Sequence, residues 1–150
     1  MIGFMISLRK CDDVESLVDF FYSKETLDWH KNIHKNKGDL SGNVRATVDS
    51  MADCEVWVVE LNDKFAAFFG IYKGILGECL VGFHVLKEFR NGNFLDFFWG
   101  KVKSMFSADF YTGIYEHNLP AIKHLIKQGF ELVNKTEDNY GTICIFKFKK

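Results

Sequence analysis

Hydrophobic residues recur along this chain with two different periods, and the places where one gives way to the other divide it into elements. Ile2 to Leu8 mixes apolar residues with Ser7 and runs out at Arg9-Lys10, which predicts a first strand with its charges at the exit. Asp12 or Asp13 can then cap a helix, because Val14, Leu17, Val18, Phe21 and Tyr22 fall at i, i+3, i+4, i+7 and i+8. Ser23-Lys24-Glu25 fits a break, with a second helical segment through Leu27, Trp29, His30 and Ile33 that stops before Asn36-Lys37-Gly38. Asp39 to Gly42 reads as a polar loop, and Asn43 can cap a short helix through Val44, Thr47, Val48 and Met51.

After Asp53 the period becomes two. Glu55 to Leu61 is a strand, Asn62-Asp63 a tight turn, and Lys64 to Tyr72 its antiparallel return. Lys73-Gly74 to Gly77 makes the next turn and Glu78 to Val85 the third strand of a meander. A charged turn, Leu86 to Asn93, leads into an amphipathic helix over 94–106, with Leu95, Phe98, Val102, Met105 and Phe106 on its sheet side. Asp109 to Tyr115 is a strand, and Leu119 to Gln128 a helix with Pro120 in its first turn, where the missing N–H has no helical partner. Gly129 closes that helix as a left-handed cap, Phe130 to Asn134 is a strand, Glu137 to Gly141 a turn and Thr142 to Phe148 the last strand.

The order β-α-α-(α)-β-β-β-α-β-α-β-β predicts an α/β fold of the mixed, α+β kind. Strand-helix-strand connections in the second half imply parallel pairing there; the meander and final hairpin are antiparallel, so a twisted mixed sheet carries helices on both faces. Residues 1–150 fit a single domain, long enough to bury a core without disulfides or metal.

The turn between the third meander strand and the following helix carries the chemistry. A strand that breaks into a Gly/Asn turn and feeds a helix aims several N–H groups at one spot, where the helix dipole favours an anion. Arg90 adds a fixed positive charge, and Asn91, Gly92 and Asn93 tolerate the tight backbone required. By pattern alone the stretch is either a phosphate cradle or a plain connection that binds nothing.

Composition sharpens this picture only in part. With 47% hydrophobic residues, 16 Phe and one Pro, a dense aromatic interior is expected. A net charge of -1 gives no reason to expect nucleic acid or an anionic membrane, although Lys31, Lys35 and Lys37 with His30 and His34 form a local basic cluster. His30 and His34 have the spacing of a two-histidine metal site, but no acidic or cysteine ligand accompanies them, so a solvated helix face is the expectation and no metal is assigned. Cys11, Cys54, Cys79 and Cys144 lie far apart with no C-x-x-C pair and read as reduced thiols. The apolar run at the N-terminus is short for a signal segment, and no run approaches a membrane span, so a cytoplasmic protein with no membrane partner is expected.

Two local motifs, together with the element order, resemble the GNAT superfamily of acetyl-CoA-dependent N-acetyltransferases. The sharper is Tyr115 to Phe130, where Asn118, Ala121, Gly129 and Phe130 match an Asn, an Ala three residues on and a closing Gly-Phe pair. The second is Arg90-Asn91-Gly92-Asn93-Phe94-Leu95, set against a family pattern of Arg or Gln, two residues, Gly, one residue, then Gly or Ala; Asn93 and Leu95 replace the defining small residues. The resemblance implies acetyl-CoA as co-substrate, its amide-bearing arm paired with the backbone around Phe83 and Val85, and its pyrophosphate on the N–H groups of residues 91 to 95, beside Arg90, with Asn118 nearby. It implies acetyl transfer to an amine of a small molecule or protein, and a homodimer is compatible with it.

The resemblance also directs attention to proton-transfer groups. Many members place a Tyr seven residues after the helix-opening Asn, where this chain has Leu125. Glu78 lies near the family's position for a base. Strict alternation counted back from Arg90 puts Cys79 on the required face, and a bulge is needed to bring Glu78 there. His84, Glu116 and His117 are weaker candidates. The departures at Leu95 and Leu125 motivate an alternative, a GNAT-like binding or structural protein without catalysis.

Overall fold

The computed structural model describes residues 5–12, 54–74, 77–138 and 141–150. Seven strands form one sheet, β1 (Ile6–Cys11), β2 (Glu55–Leu61), β3 (Lys64–Gly74), β4 (Gly77–Val85), β5 (Phe110–Tyr115), β6 (Glu131–Asp138) and β7 (Gly141–Phe148), in the order β1-β2-β3-β4-β5-β7-β6. All neighbours are antiparallel except β4 and β5, which are parallel. Two helices, α1 (Gly92–Ser104) and α2 (Leu119–Lys127), follow β4 and β5. The sheet is mixed, as expected, with one correction: of the two strand-helix-strand connections in the second half only β4–β5 gives a parallel pair, because β7 inserts between β5 and β6. The helices expected between residues 12 and 53 lie outside the described residues, as do His30 and His34.

Local chemistry accounts for the boundaries. Asn62 and Asp63 both take positive φ, 52° and 64°, the conformation a two-residue hairpin turn demands, and Asn62 Oδ1 accepts from Met5 N–H at 3.0 Å to tie β1's start to the turn. β1 continues through Arg9-Lys10 to Cys11 because an edge strand can leave charges in water, and Arg9 Nε meets Glu60 at 2.5 Å across the pair. Gly129, at φ 94°, ends α2 as expected, and Phe130 N–H then bonds back to Leu125 O at 3.0 Å.

The core fills the space between the helices and one sheet face. Phe69, Ile71 and Leu80 from the meander meet Phe98 and Trp99 of α1 and Leu125 of α2. Phe106 and Phe110 stack at 3.8 Å, and Phe110 packs edge-on to Phe130 at 5.6 Å. The buried stripe of α1 is Phe94, Phe98, Trp99 and Val102, rotated from the predicted side. Leu95 and Met105 are only partly buried, because Trp99 is drawn toward α2, where its Nε1–H donates to His124 Nε2. Lys103 Nζ completes the helix pairing, donating to Gln128 O at 3.0 Å over the Phe148 ring.

The sheet edges differ from its middle. Every residue of β6 is exposed, including Leu132 and Val133, and the strand bulges at Val133 against β7. No helix among the described residues is long and apolar enough to cross a membrane.

Candidate functional site

The site begins with a fault in β4. Gly70 pairs with Gly82 and Ile71 with Leu80, so Val81 is an extra residue, a bulge. Above it, Leu86 N–H bonds to Ala66 O at 2.9 Å. Bonded and non-bonded pairs alternate in an antiparallel ladder, so Phe83 and Val85 turn their peptide groups away from β3.

On that side β5 is present only at the start. It pairs with Glu78, Cys79 and Leu80 through Phe110, Tyr111 and Thr112, and the ladder stops there. The Thr112 hydroxyl, buried, donates to Leu80 O at 2.9 Å at the last paired position. Beyond it the parallel strands part, and the peptide groups of Phe83 and Val85 line the resulting gap. A gap at the carboxyl ends of parallel strands is a common place for a ligand.

The turn above the gap is held from inside. Phe89, in a 3-10 turn at Lys87–Phe89, is buried and packs on Phe94 at 5.8 Å. Arg90 Nε donates to Val85 O at 2.7 Å, which fixes the guanidinium beside the gap while leaving it exposed. Asn91 caps α1, its Oδ1 accepting from Phe94 N–H at 3.1 Å, and its carbonyl accepts from Leu95 N–H at 2.9 Å. Asn91 N–H bonds to Phe89 O. Of the amides at 91 to 95, therefore, only those of Gly92 and Asn93 stay open among the described residues, a narrower cradle than the sequence suggested. The Leu95 side chain packs against the core.

Asn118 opens α2, its carbonyl accepting from Ile122 N–H at 3.1 Å and its side chain making no capping bond. Because β4 and β5 are parallel, α1 and α2 begin at the same end of the sheet, the open end of the gap. Leu125 is 0% exposed, inside the core. Beside it, burial foremost and the Lys127 charge second hold His124 below its ordinary pKa, so it stays neutral with its Nε2 accepting from Trp99.

On the face opposite the helices a cleft of about 420 Å³ opens at the foot of the gap, lined by Cys79, Leu80, Val81, Tyr111, Thr112, Gly113, Tyr115, Ile143 and Ile145. Burial pushes the Cys79 thiol up, which keeps it protonated. Tyr115 donates to Asp138 Oδ2 at 2.6 Å and stacks on His117. Glu78 does not line this cleft. The expected bulge forms at Val81 and reverses the parity of the residues before it, so that Glu78 takes the helix-side face shared by Phe83 and Val85 and Cys79 the cleft side; there Glu78 Oε1 accepts from Ser107 Oγ at 2.7 Å and its Oε2 is shut off from water. His84 is buried against Phe68 on the opposite face.

The sequence anticipated a bulge near Glu78 without placing it at Val81, and carried no sign of Thr112 or the aromatic cleft wall. One signal was available: Gly70 and Gly82, glycines within strands, mark a bulge or close backbone approach.

The sequence matches no family model and no curated protein. The shape does find relatives. An aminoglycoside N(6')-acetyltransferase from Legionella pneumophila superposes with a TM-score of 0.69 at 12% identity, covering 99% of this chain and 94% of that one. The protein has the GNAT acetyltransferase fold. Similar to it as well are aminoglycoside acetyltransferase AAC(6')-Ib in complex with coenzyme A (TM-score 0.66, 15% identity, 97% and 95% covered) and a GNAT-family acetyltransferase from Streptococcus pneumoniae (0.59, 13%, 97% and 100%). The likeness extends over nearly the whole chain.

Proposed function

We propose that this chain binds acetyl-CoA in the gap between β4 and β5 and transfers the acetyl group to an amine. The observation that carries the reading is the three-residue pairing of β4 with β5, followed by outward-facing peptide groups at Phe83 and Val85 that point at no strand, of which the Val85 carbonyl alone is held, by Arg90 Nε. Those groups are suited to the amide-bearing arm. The open amides of Gly92 and Asn93, with the α1 dipole and the Arg90 guanidinium, fit a pyrophosphate. Asn118, at the start of α2, borders the same open end. Acetyl-CoA supplies an activated acyl group; the chain's tasks are to position it, polarise its carbonyl and manage protons.

The bulge leaves Val81 without a partner residue in β3, and its peptide N–H, at the junction of gap and cleft, is the donor we assign to a developing oxyanion. The neutral Cys79 thiol is no nucleophile, which favours direct attack by the amine over an acyl-enzyme. Proton removal falls to Tyr115 as a relay to Asp138, the carboxylate its hydroxyl already reaches, while the C–S bond breaks and the coenzyme A thiolate leaves and takes a proton from water. Glu78, occupied by Ser107, is given no part.

Calorimetric titration with acetyl-CoA tests the first step. Arg90→Ala should weaken binding about tenfold, the loss of one exposed charge-assisted contact, with Arg90→Lys in between because it keeps the charge and loses the Val85 tether. No heat and no thermal stabilisation by millimolar acetyl-CoA would overturn the reading. One observation favours a second reading, a coenzyme A-binding module without transfer. Leu125 occupies the position where the family often has a Tyr acid, and it is apolar and fully buried. Coenzyme A binding without thiol release on a broad amine panel would select that reading.

A further inference from the structure

The cleft below the gap differs chemically from what a polycationic acceptor needs. Val81, Tyr111, Gly113, Tyr115, Ile143 and Ile145 give it apolar and aromatic walls, and no carboxylate lines it among the described residues. Its other polar groups are already engaged or neutral: the Thr112 hydroxyl on Leu80 O, the Cys79 thiol held protonated. At one end Lys147 Nζ lies 5.8 Å from the centre of the Tyr111 ring and 3.5 Å from Asp109 Oδ2, so the acid there is already paired. At the other end, among the described residues, the acid within reach is Asp138, met through the Tyr115 hydroxyl.

We infer that the acceptor of this cleft is a monoamine on an apolar or aromatic body. The inference rests on the acetyl-transfer reading and deepens it. An ammonium stripped of water without a counter-charge is strongly unfavourable, so each extra cation of a polyamine or aminoglycoside would weaken binding here. An apolar body instead gains by leaving water, and a ring adds edge or face contacts with Tyr111 and Tyr115. The volume, about 420 Å³, suits a ring and a short chain. Gly113 keeps the floor open: a Cβ there would meet Ile143 Cγ2 at 3.1 Å and Ile145 Cδ1 at 3.6 Å. One amine at the Tyr115 end then needs one acid, and Asp138 provides it.

The experiment has two arms on the full chain. Titration with acetyl-CoA comes first and reports on the gap alone. With coenzyme A saturating, 2-phenylethylamine, spermidine and kanamycin are then compared by calorimetry and, with acetyl-CoA, by thiol release. The expected result is binding of 2-phenylethylamine at least about tenfold tighter than either polycation, with kcat/KM following the same order. Ile145→Glu should weaken 2-phenylethylamine by about tenfold and strengthen spermidine, leaving acetyl-CoA affinity unchanged. Preference for spermidine or kanamycin, or failure of 2-phenylethylamine to bind a protein that does bind coenzyme A, overturns the inference and leaves the gap reading standing. Absence of acetyl-CoA binding removes both. The wild-type preference decides the matter even if the Ile145→Glu protein does not fold.

Discussion

Replacing Thr112 by Val tests what stops the β4–β5 ladder. The substitution keeps the branched shape and removes one hydroxyl, so Leu80 O, on a residue with 1% exposure, loses the donor it meets at 2.9 Å. Leu80 also stands opposite Thr112 in the β4–β5 ladder, so what is lost is one neutral hydrogen bond, about 0.5–1.5 kcal/mol. The extra methyl returns part of this, so the net loss should be under about 1 kcal/mol. Thr112→Ser keeps the bond and gives up one buried methyl, about 1 kcal/mol with its small void. Thr112→Ala loses both, about 1.5–2.5 kcal/mol. Urea unfolding followed by tryptophan fluorescence can rank the three, and a loss of about 2 kcal/mol moves the midpoint by roughly 1 M. Thr112→Ala should be the least stable of the three. A Thr112→Ala protein no less stable than Thr112→Ser would show that the hydroxyl contributes nothing and that the strands part for another reason.

Two further outcomes follow from groups near the gap. His124 has a folded-state pKa below its ordinary value, so the unfolded chain takes up the proton first as pH falls. Its contribution is fully present above about pH 6.5 and is lost as pH drops toward the folded pKa. Denaturation midpoints measured from pH 7.5 to 5 should therefore fall, and His124→Phe should flatten part of that slope; an unchanged slope would exclude His124 as its source. Asn91→Ala removes the α1 cap and should cost about 1 kcal/mol, read by the same urea assay. It should also loosen the first turn and weaken acetyl-CoA binding, whereas an unaffected affinity would argue that Gly92 and Asn93 are held in place without the cap.

The strands were readable because each half-buried one keeps its period of two, and Asn62-Asp63 announces its turn by residue type alone. The start of α1 was placed two residues late, since the apolar pattern begins at Phe94 whereas the cap is the polar Asn91. Its buried side was rotated for a tertiary reason: Trp99 is oriented by His124, a residue 25 positions away that no local pattern connects to it. The site was less legible than the fold. Arg90 and the Gly92 turn stand out in sequence, but which amides remain open depends on bonds made by Asn91 to its own neighbours. The face occupied by Glu78 depends on a bulge, and a bulge changes the parity of every residue before it without changing any residue type. Thr112 was invisible because one hydroxyl within a strand looks like any other.

β6 leads in a different direction. A strand with eight exposed residues is held by its main-chain bonds to β7 and by little apolar burial. Among the described strands it is the natural first segment to open, so its amides should belong to a low-energy unit in hydrogen exchange. Each opening would make β7, with buried Cys144 and Phe146, the new margin of the sheet. An apolar strand laid bare at an edge invites pairing with another chain. Lys135, Glu137, Asp138 and the kink at Val133 act as gatekeepers on the outer strand, and the solubility of this fold depends on how rarely that strand lifts.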